Sequence, residues 1–461
     1  MTDKFISSET LGTFKKTTYS NPSHGILQNA LSGNSIESVT MNKQSEINMQ
    51  HTFSTEIKTG DITHQKSSGR CWMFAGMNVL RKQIMDKCNL KTFELSQNYI
   101  LFYDKLEKAN YFYENILDTL DLETDSRLIA WLLSGPLQDG GQWDMLVNII
   151  DKYGVVPKWI MPETFHSSNT RTMTQLLTRK LRKDAAYMRS EYRNGKTVDM
   201  LREEKTAMMQ DIYTVLCRCL GTPPEIFDFE YTDKDDKFFR ESNLTPKTFY
   251  KKYVNVDLSE YVSLINAPTH DKPFGHTYTV QRLGNVIGGN IVRYLNVTVD
   301  ELKVAASAQL KSGELVWFGC DVGKMLSRDL GIMDTLIYDY EAALGTNVEL
   351  TKAEQLEYGD SLMTHAMVFT AVNIVDGKTV RWRVENSWGD KSGKDGWFIM
   401  SDEWFEKYMY QVVVNKILYD HLPIFSIHVT YYRDIIVASA TNKMALQDST
   451  CRAILIDLTQ T

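Results

Sequence analysis

The chain has 461 residues, of which 43% are hydrophobic and 24% charged, and its formal net charge is −7 at pH 7. These proportions are typical of globular proteins and exclude disorder as the main state of the chain. A chain of this length can bury a core without disulfide or metal cross-links, and its slight acidity gives no global reason to expect nucleic acid as a partner.

The distribution of apolar residues and cysteines bears on the compartment. The start of the chain has no apolar core of the signal-peptide type, and no run of about 18 apolar residues occurs anywhere. Six cysteines are too few for a disulfide framework in a chain this long. We therefore expect a cytoplasmic protein with reduced thiols and no membrane span.

The first part of the chain changes character near residue 70. Residues 1–60 are polar and rich in Ser, Thr and Asn, which favours an arm with some helix and little core. From Cys71 onward, apolar residues recur at three- and four-residue steps, which predicts an amphipathic helix over 71–88. Ser67, Ser68 and Gly69 would supply its capping and loop residues. Further helical patterns run within 95–135 and 142–153.

Residues 171–221 are also helical in pattern and are locally basic. Between Arg171 and Lys205 there are ten Lys or Arg residues against five Asp or Glu. The usual interpretation is a solvated helix face. The alternative is a patch that contacts a polyanion, because clustered Lys and Arg can act locally whatever the net charge.

From residue 277 the sequence becomes rich in β-forming residues. Residues 365–375 carry β-branched and aromatic side chains with partial alternation, which predicts a strand. Residues 381–385 and 396–400 look like two further strands, joined by a loop that contains the turn sequence GDKSGKDG.

Four polar residues suggest a chemistry when they are taken together. Cys71 lies at the predicted start of a helix, where free N–H groups and the helix dipole favour a thiolate. Gln65, six residues upstream, could donate a hydrogen bond to a developing oxyanion. His365 and Asn386 could supply a base and the amide that orients it. A thiol, an imidazole and an orienting amide are the groups that acyl transfer needs.

The strings around these residues resemble a known family. QKSSGRCWMFA, THAMVFTAV and VENSWGD resemble the three signatures of papain-like cysteine peptidases. DGGQWDMLVNI, WFGCDVG and SLMTHAM are similar to the bleomycin hydrolase family of cytosolic cysteine aminopeptidases. The resemblance covers roughly residues 60–416. It implies catalytic roles for Cys71 as nucleophile, His365 as base, Asn386 as its orienter and Gln65 as oxyanion donor. It also implies that Trp388 shields the His365–Asn386 hydrogen bond and that Gly140 and Gly141 pair with extended substrate.

The resemblance implies an α+β papain-like fold with a large helical insertion. In papain and the cathepsins the His follows the Cys by about 130–150 residues, and here the separation is about twice as large. Roughly 145 additional residues must therefore leave and rejoin the core. The domains expected are an N-terminal arm (1–60), a helical half with the Cys (61–160), a mainly helical insertion (161–280), a β-rich half with the His and Asn (281–416) and a divergent C-terminal tail (417–461).

The function and partners expected follow from the same resemblance. It implies a thiol peptidase that removes N-terminal residues from peptides and hydrolyses the amide of bleomycin, assembled as a homohexamer. We expect no cofactor and no metal, since Cys217 and Cys219 have no second pair at zinc spacing. The alternative is a nucleic-acid-binding ring protein with secondary peptidase activity, through residues 171–205.

The match to the family stops after Lys416. The family's C-terminal arm ends in the cleft, where its carboxylate is thought to hold the substrate's amino group. Residues 417–461 have a different sequence, which is rich in β-branched residues. We therefore expect weaker selectivity for free N-termini, with some cleavage of N-acetylated peptides.

Overall fold

The computed structural model describes residues 4–420 and 455–457 of the chain. The N-terminal arm consists of short helices, of which the first two bury none of their residues. Its elements are α1 (Ser8–Tyr19), α2 (His24–Gly33), α3 (Ile36–Thr40), α4 (Lys43–Asn48) and the short strand β1 (Thr55–Glu56).

Helices dominate the next two parts of the chain. The helical half contains α5 (Cys71–Lys87), α6 (Gln97–Leu117), α7 (Arg127–Ser134) and α8 (Trp143–Tyr153). The predicted insertion contains α9 (Phe165–Ser168), α10 (Arg171–Arg193), α11 (Val198–Leu220), the hairpin β2 (Phe227–Thr232) and β3 (Phe238–Leu244), and α12 (Pro246–Phe249). The helical patterns predicted over 95–135, 142–153 and 171–221 are therefore confirmed.

The remaining strands build one large mixed sheet with helices beside it. Its strands are β4 (Tyr261–Ile265), β5 (Thr277–Val280), β6 (Tyr294–Asn296), β7 (Val316–Cys320), β8 (Leu326–Ser327), β9 (Ile332–Met333), β10 (His365–Val375), β11 (Lys378–Glu385), β12 (Trp397–Ser401), β13 (Met409–Asn415) and β14 (Leu455–Asp457). The helices in this part are α13 (Val299–Lys311), α14 (Tyr340–Leu344), α15 (Lys352–Glu357), α16 (Asp402–Tyr408) and α17 (Lys416–Asp420).

The sheet order is β14-β5-β6-β4-β13-β7-β10-β11-β12-β9-β8, and β1 also pairs with β10. The strand predicted over 365–375 is confirmed, and the two strands predicted after it form the antiparallel pair β11–β12. Because Tyr261–Ile265 pairs with β13, the β-rich part begins before the predicted boundary at residue 281. His365 stands opposite Cys320 of β7, and Asn386 directly follows β11.

The helix that begins at Cys71 lies in the centre of the molecule. Every residue from Trp72 to Asn78 is buried, so the expected amphipathic helix is wrong for its first two turns. The reason is that α5 packs against α8 on one side and the sheet on the other. Gly76 permits the close approach to α8, since a Cβ there would lie 2.1 Å from Cδ2 of Leu146.

The start of α5 also differs from the sequence prediction. Its N-cap residue is Arg70, which makes no side-chain capping hydrogen bond. The capping role expected for Ser67 and Ser68 is therefore wrong. The Ser68 hydroxyl instead bonds within its own loop, to the carbonyl of Gln65 and to Arg70, and the N–H of Ser67 donates to the carbonyl of Ser168.

The basic stretch of the insertion makes many internal contacts. Lys180, Lys196 and Lys205 each contact a carboxylate of the same chain. Arg202 contacts Glu114 on α6, and Arg189 is buried and donates to the carbonyl of Thr119. Lys180, Lys196, Arg202 and Lys205 are thus paired with carboxylates within the protein.

The divergent tail is described only at its two ends. Lys416–Asp420 forms α17, and the backbone of Leu455–Asp457 pairs antiparallel with β5. The weaker selectivity expected from the divergent tail depends mainly on residues that lie outside the described part of the chain. Among the described helices, none has the length and apolar character needed to cross a bilayer.

A buried ion pair connects α5 to the sheet. Nη2 of Arg81 lies 2.7 Å from Oε1 of Glu385, and the two side chains are 2% and 0% exposed. Arg81 also donates to the carbonyls of Asp61 and Phe93. One guanidinium therefore holds together the helix, the loop that precedes it and the end of β11.

We predict that Arg81→Met lowers the free energy of unfolding by about 3–5 kcal/mol, because it leaves the Glu385 carboxylate buried without its partner. Urea denaturation followed by tryptophan fluorescence measures this. Arg81→Met/Glu385→Met, which removes both charges, should recover part of the loss. The exposed pair Arg240–Asp228 provides the control, since Arg240→Ala should leave unfolding nearly unchanged. Wild-type stability of Arg81→Met would contradict the prediction.

Candidate active site

The predicted nucleophile is held against the first residues of β10. Cys71 is the first residue of α5 and is partly exposed. Its sulfur accepts hydrogen bonds from the backbone N–H groups of Ala366 and Trp72. Since Ala366 directly follows His365, this contact brings Cys71 to the start of the strand that carries the predicted base.

The imidazole of His365 is oriented by Asn386. Nε2 of His365 lies 2.9 Å from Oδ1 of Asn386, and this same oxygen accepts from the N–H of Ser387 at 2.7 Å. An amide oxygen only accepts, so Nε2 must carry the proton. The other ring nitrogen, Nδ1, is then the unprotonated one and can accept a proton.

The Trp388 ring lies beside the imidazole, and the Arg328 guanidinium lies over the Trp388 ring. The Trp388 ring centroid lies 4.9 Å from that of His365, and the guanidinium carbon of Arg328 lies 4.6 Å from the centroid of the Trp388 ring. The shielding role of Trp388 stays a prediction. Arg328 was not found from the sequence, because no local pattern connects it to His365.

Gln65 is fixed at both ends of its amide. Its Oε1 accepts from the hydroxyl of Ser387 at 2.7 Å, and its Nε2 donates to the carbonyl of Ser68 at 2.6 Å. The backbone N–H of Gln65 donates to the carbonyl of Ser387 as well. An amide nitrogen carries two hydrogens, so one of them is left for a further acceptor such as an oxyanion.

The predicted glycine pair lies against the same helix start. A Cβ on Gly141 would lie 2.6 Å from ring atoms of Trp72, so only glycine fits there without a shift. The carbonyl of Gly140 accepts from Nζ of Lys108 at 2.7 Å. The backbone pairing of Gly140 and Gly141 with substrate stays a prediction.

Asp139, the residue before this pair, ties it to the loop that precedes Cys71. Its carboxylate accepts from the N–H of Gly69 at 3.0 Å and from Nζ of Lys105 at 2.6 Å. Its carbonyl accepts from Nε1 of Trp72. Burial works against its charge, yet Lys105 holds the pKa of this carboxyl well below its usual range. The motif DGG could have pointed to Asp139.

Burial opposes charge on both reacting groups. Desolvation raises the pKa of the Cys71 thiol, and hydrogen bonds from Ala366 and Trp72 partly offset this. The depression expected from the helix start is therefore outweighed. Burial also lowers the pKa of His365 to about 4, Asn386 opposes this shift, and the charge of Arg328 adds to it. Burial thus disfavours both the thiolate of Cys71 and the imidazolium of His365.

His, Cys, Asp and Glu side chains are the possible metal ligands of the chain. Within the part of the chain that the structure describes, no group of three His, Cys, Asp or Glu side chains is arranged to hold a metal ion. The side chains of Cys71, His365 and Gln65 offer groups for proton transfer, for nucleophilic attack by sulfur and for hydrogen bonding to an oxyanion.

Comparison with known proteins gives a consistent set of relatives. Residues 5–438 match the model of the Peptidase C1-like family. Aminopeptidase C of Listeria monocytogenes is 49% identical over 411 residues, which cover 89% of this chain and 92% of that protein. Bleomycin hydrolase of Mus musculus is 40% identical over 433 residues, which cover 92% and 94%.

A solved structure agrees with the architecture as well. The crystal structure of PepW from Lactobacillus rhamnosis superposes with a TM-score of 0.91 at 49% sequence identity, covering 94% of this chain and 96% of that one. The predicted papain-like α+β fold is therefore confirmed, and so is the resemblance read from the sequence strings.

Proposed function

This chain belongs to the Peptidase C1-like family, and from that membership we propose that it removes residues from the N-termini of peptides through an acyl-enzyme on Cys71. Its similarity to relatives named aminopeptidase C and bleomycin hydrolase identifies this chain as a cysteine aminopeptidase. The observation that supports the proposed mechanism is the 2.9 Å hydrogen bond between an imidazole and an amide at the start of β10, where the next residue, Ala366, donates its N–H to a thiol sulfur. The thiol, the imidazole and the amide belong to Cys71, His365 and Asn386.

The acylation step uses the proton positions derived above. As the Cys71 sulfur attacks the carbonyl of the first peptide bond, Nδ1 of His365 takes the thiol proton. The Asn386 oxygen holds the Nε2–H and stabilises the imidazolium that forms. His365 then returns the proton to the leaving amine, which breaks the peptide bond and leaves a thioester on Cys71.

The oxyanion is stabilised by two donors. As the first residue of α5, Cys71 has a backbone N–H for which the helix supplies no acceptor. The second donor is the remaining Nε2 hydrogen of Gln65. Both donors are held in place before the reaction, so they need little reorganisation when charge develops. Water activated by His365 then hydrolyses the thioester.

The proposal also covers the substrates, the cellular location and the assembly state. We take the substrates to be peptides with a free N-terminus, aligned along Gly140 and Gly141 and beneath Trp388. The amide of bleomycin is a further proposed substrate, supported by the mouse relative named for it. A cytoplasmic location and a homohexameric assembly complete the proposal. No cofactor is required by the chemistry described.

Nucleic acid is the less favoured partner. The proposal that residues 171–205 bind a polyanion needs free positive charge, and Lys180, Lys196, Arg202 and Lys205 face carboxylates of the same chain. Binding driven by phosphate contacts would weaken steeply with added salt. A salt titration of DNA binding by the full chain would identify such an activity.

We predict that Cys71→Ala abolishes hydrolysis of an unblocked peptide, because it removes the sulfur on which the proposed acyl-enzyme forms. Mass spectrometry of the products of one unblocked peptide and its N-acetylated form measures both activity and end selectivity. Successive loss of N-terminal residues supports aminopeptidase action. Turnover by a folded Cys71→Ala protein would overturn the mechanism, and equal cleavage of both peptides would overturn the selectivity.

We predict that Gln65→Ala lowers kcat by about 10²–10³-fold with little change in KM, because the oxyanion exists only on the reaction path. Asn386→Ala should lower kcat less, since His365 can still accept the thiol proton. Gln83→Ala, an exposed glutamine on α5, is the matched control. A rise in KM alone for Gln65→Ala would assign Gln65 to substrate binding.

We predict that kcat/KM falls with decreasing pH around pH 4, because His365, with its pKa lowered to about 4, becomes protonated there and cannot accept the thiol proton. Removing the charge of Arg328 should raise this pKa, so Arg328→Gln should move the acid limb to higher pH. Arg171→Gln, an exposed arginine on α10, is the control. Identical acid limbs in all three proteins would contradict the role of Arg328.

A further inference from the structure

The loop from Gln65 to Arg70 carries one oxyanion donor and leads directly to the other. Lys66, Ser67 and Gly69 are exposed in it, and Lys66 has a positive φ of 55°. A loop of this kind needs external contacts if its donors are to stay within a few tenths of an ångström of their working positions. Such contacts converge on Arg70.

Arg70 is a fully buried cation at the end of this loop. Its side chain is 0% exposed, and its two terminal nitrogens lie 3.0 and 2.8 Å from the two carboxylate oxygens of Glu163. Paired Arg–carboxylate contacts of this geometry fix orientation as well as distance. The guanidinium therefore has one defined position relative to Glu163.

Ser68 connects this guanidinium to Gln65. Nε of Arg70 donates to the Ser68 hydroxyl at 2.9 Å, and this hydroxyl donates to the Gln65 carbonyl at 2.6 Å. The carbonyl of Ser68 accepts from Nε2 of Gln65. Both the backbone and the side-chain amide of Gln65 are thus held through a residue that Arg70 positions.

Glu163 is in turn fixed by the first residues of the predicted insertion. The hydroxyl of Ser167 donates to its Oε2 at 2.6 Å. Burial disfavours its charge, yet Arg70 and Ser167 hold the pKa of Glu163 below its usual value, so it is a carboxylate near neutral pH. The N–H of Ser67 donates to the carbonyl of Ser168. The segment 163–168 therefore contacts the loop at both Ser67 and Arg70.

We propose that Glu163 is a positioning residue for the oxyanion donors, acting through Arg70 and Ser68 on Gln65. The inference rests on the function proposed above and deepens it. The start of the insertion then has a part in the reaction, because it supplies the anion against which the oxyanion loop is held.

The test is Glu163→Gln in the full chain, with kcat and KM measured on an unblocked peptide. We expect kcat to fall about tenfold, less than the 10²–10³-fold loss of a direct donor, with KM within about twofold of wild type. The rate of alkylation of Cys71 by iodoacetamide should not change, because that reaction passes through no tetrahedral oxyanion. A merely structural defect would lower both rates.

Two further variants make the result specific. Ser68→Ala removes the link between Arg70 and Gln65 while leaving the ion pair, so it should show the same split between kcat and alkylation. If Glu163→Gln fails to fold, Ser68→Ala still tests whether Gln65 is positioned through Ser68. In a Gln65→Ala background, Glu163→Gln should add little further loss, because the donor that it positions is already absent.

The matched control is Glu94→Gln. Glu94 pairs with Lys158 at 2.5 Å, and its side chain is 27% exposed against 19% for Glu163. The side-chain contacts of Glu94 do not include the loop from Gln65 to Arg70. It should retain wild-type kcat.

The proposal is overturned by unchanged kcat in folded Glu163→Gln and Ser68→Ala, by an equal loss of alkylation rate, or by full additivity with Gln65→Ala. Failure of the proposed function is a separate result, since it would appear as absent hydrolysis by the wild type or undiminished hydrolysis by Cys71→Ala.

Discussion

The buried ion pair between Arg81 and Glu385 is the contact on which the geometry of the site depends. Arg81 belongs to the helix that begins at Cys71, and Glu385 is the residue directly before Asn386. The thiol and the amide come from distant parts of the chain, and the pair fixes their separation. A buried charge that loses its partner is costly, so the two elements cannot slide apart without a large penalty.

Next to this ion pair, a series of hydrogen bonds connects Asn386, Ser387 and Gln65. Ser387 donates its N–H to Asn386 and its hydroxyl to Gln65, so one residue sets the orientation of two amides. Turning the Asn386 amide over would place its NH2 group against two other donors, the Nε2–H of His365 and the N–H of Ser387. The same burial raises the pKa of the Cys71 thiol and lowers the pKa of His365, so it disfavours charge on both groups.

The insertion has a structural connection to this series of hydrogen bonds. Its long helices α10 and α11 pack on α6, and several of their basic side chains meet carboxylates of the same chain. Its first residues, 163–168, contact the loop that precedes Cys71. The insertion also supplies Glu163, the carboxylate that pairs with the buried Arg70.

The sequence by itself determined the family, the helix that starts at Cys71, the strand that starts at His365 and the residues proposed for catalysis, because each is encoded in a short contiguous string. The predictions that α5 is amphipathic and that Ser67 and Ser68 cap it were wrong. Both features depend on which residues pack around the helix. Only the tertiary structure decided the partners of Arg70 and Arg81, the position of Arg328 and the direction of the thiol pKa. These follow from contacts and desolvation between residues far apart in the chain, and such contacts leave no local periodicity or spacing to read.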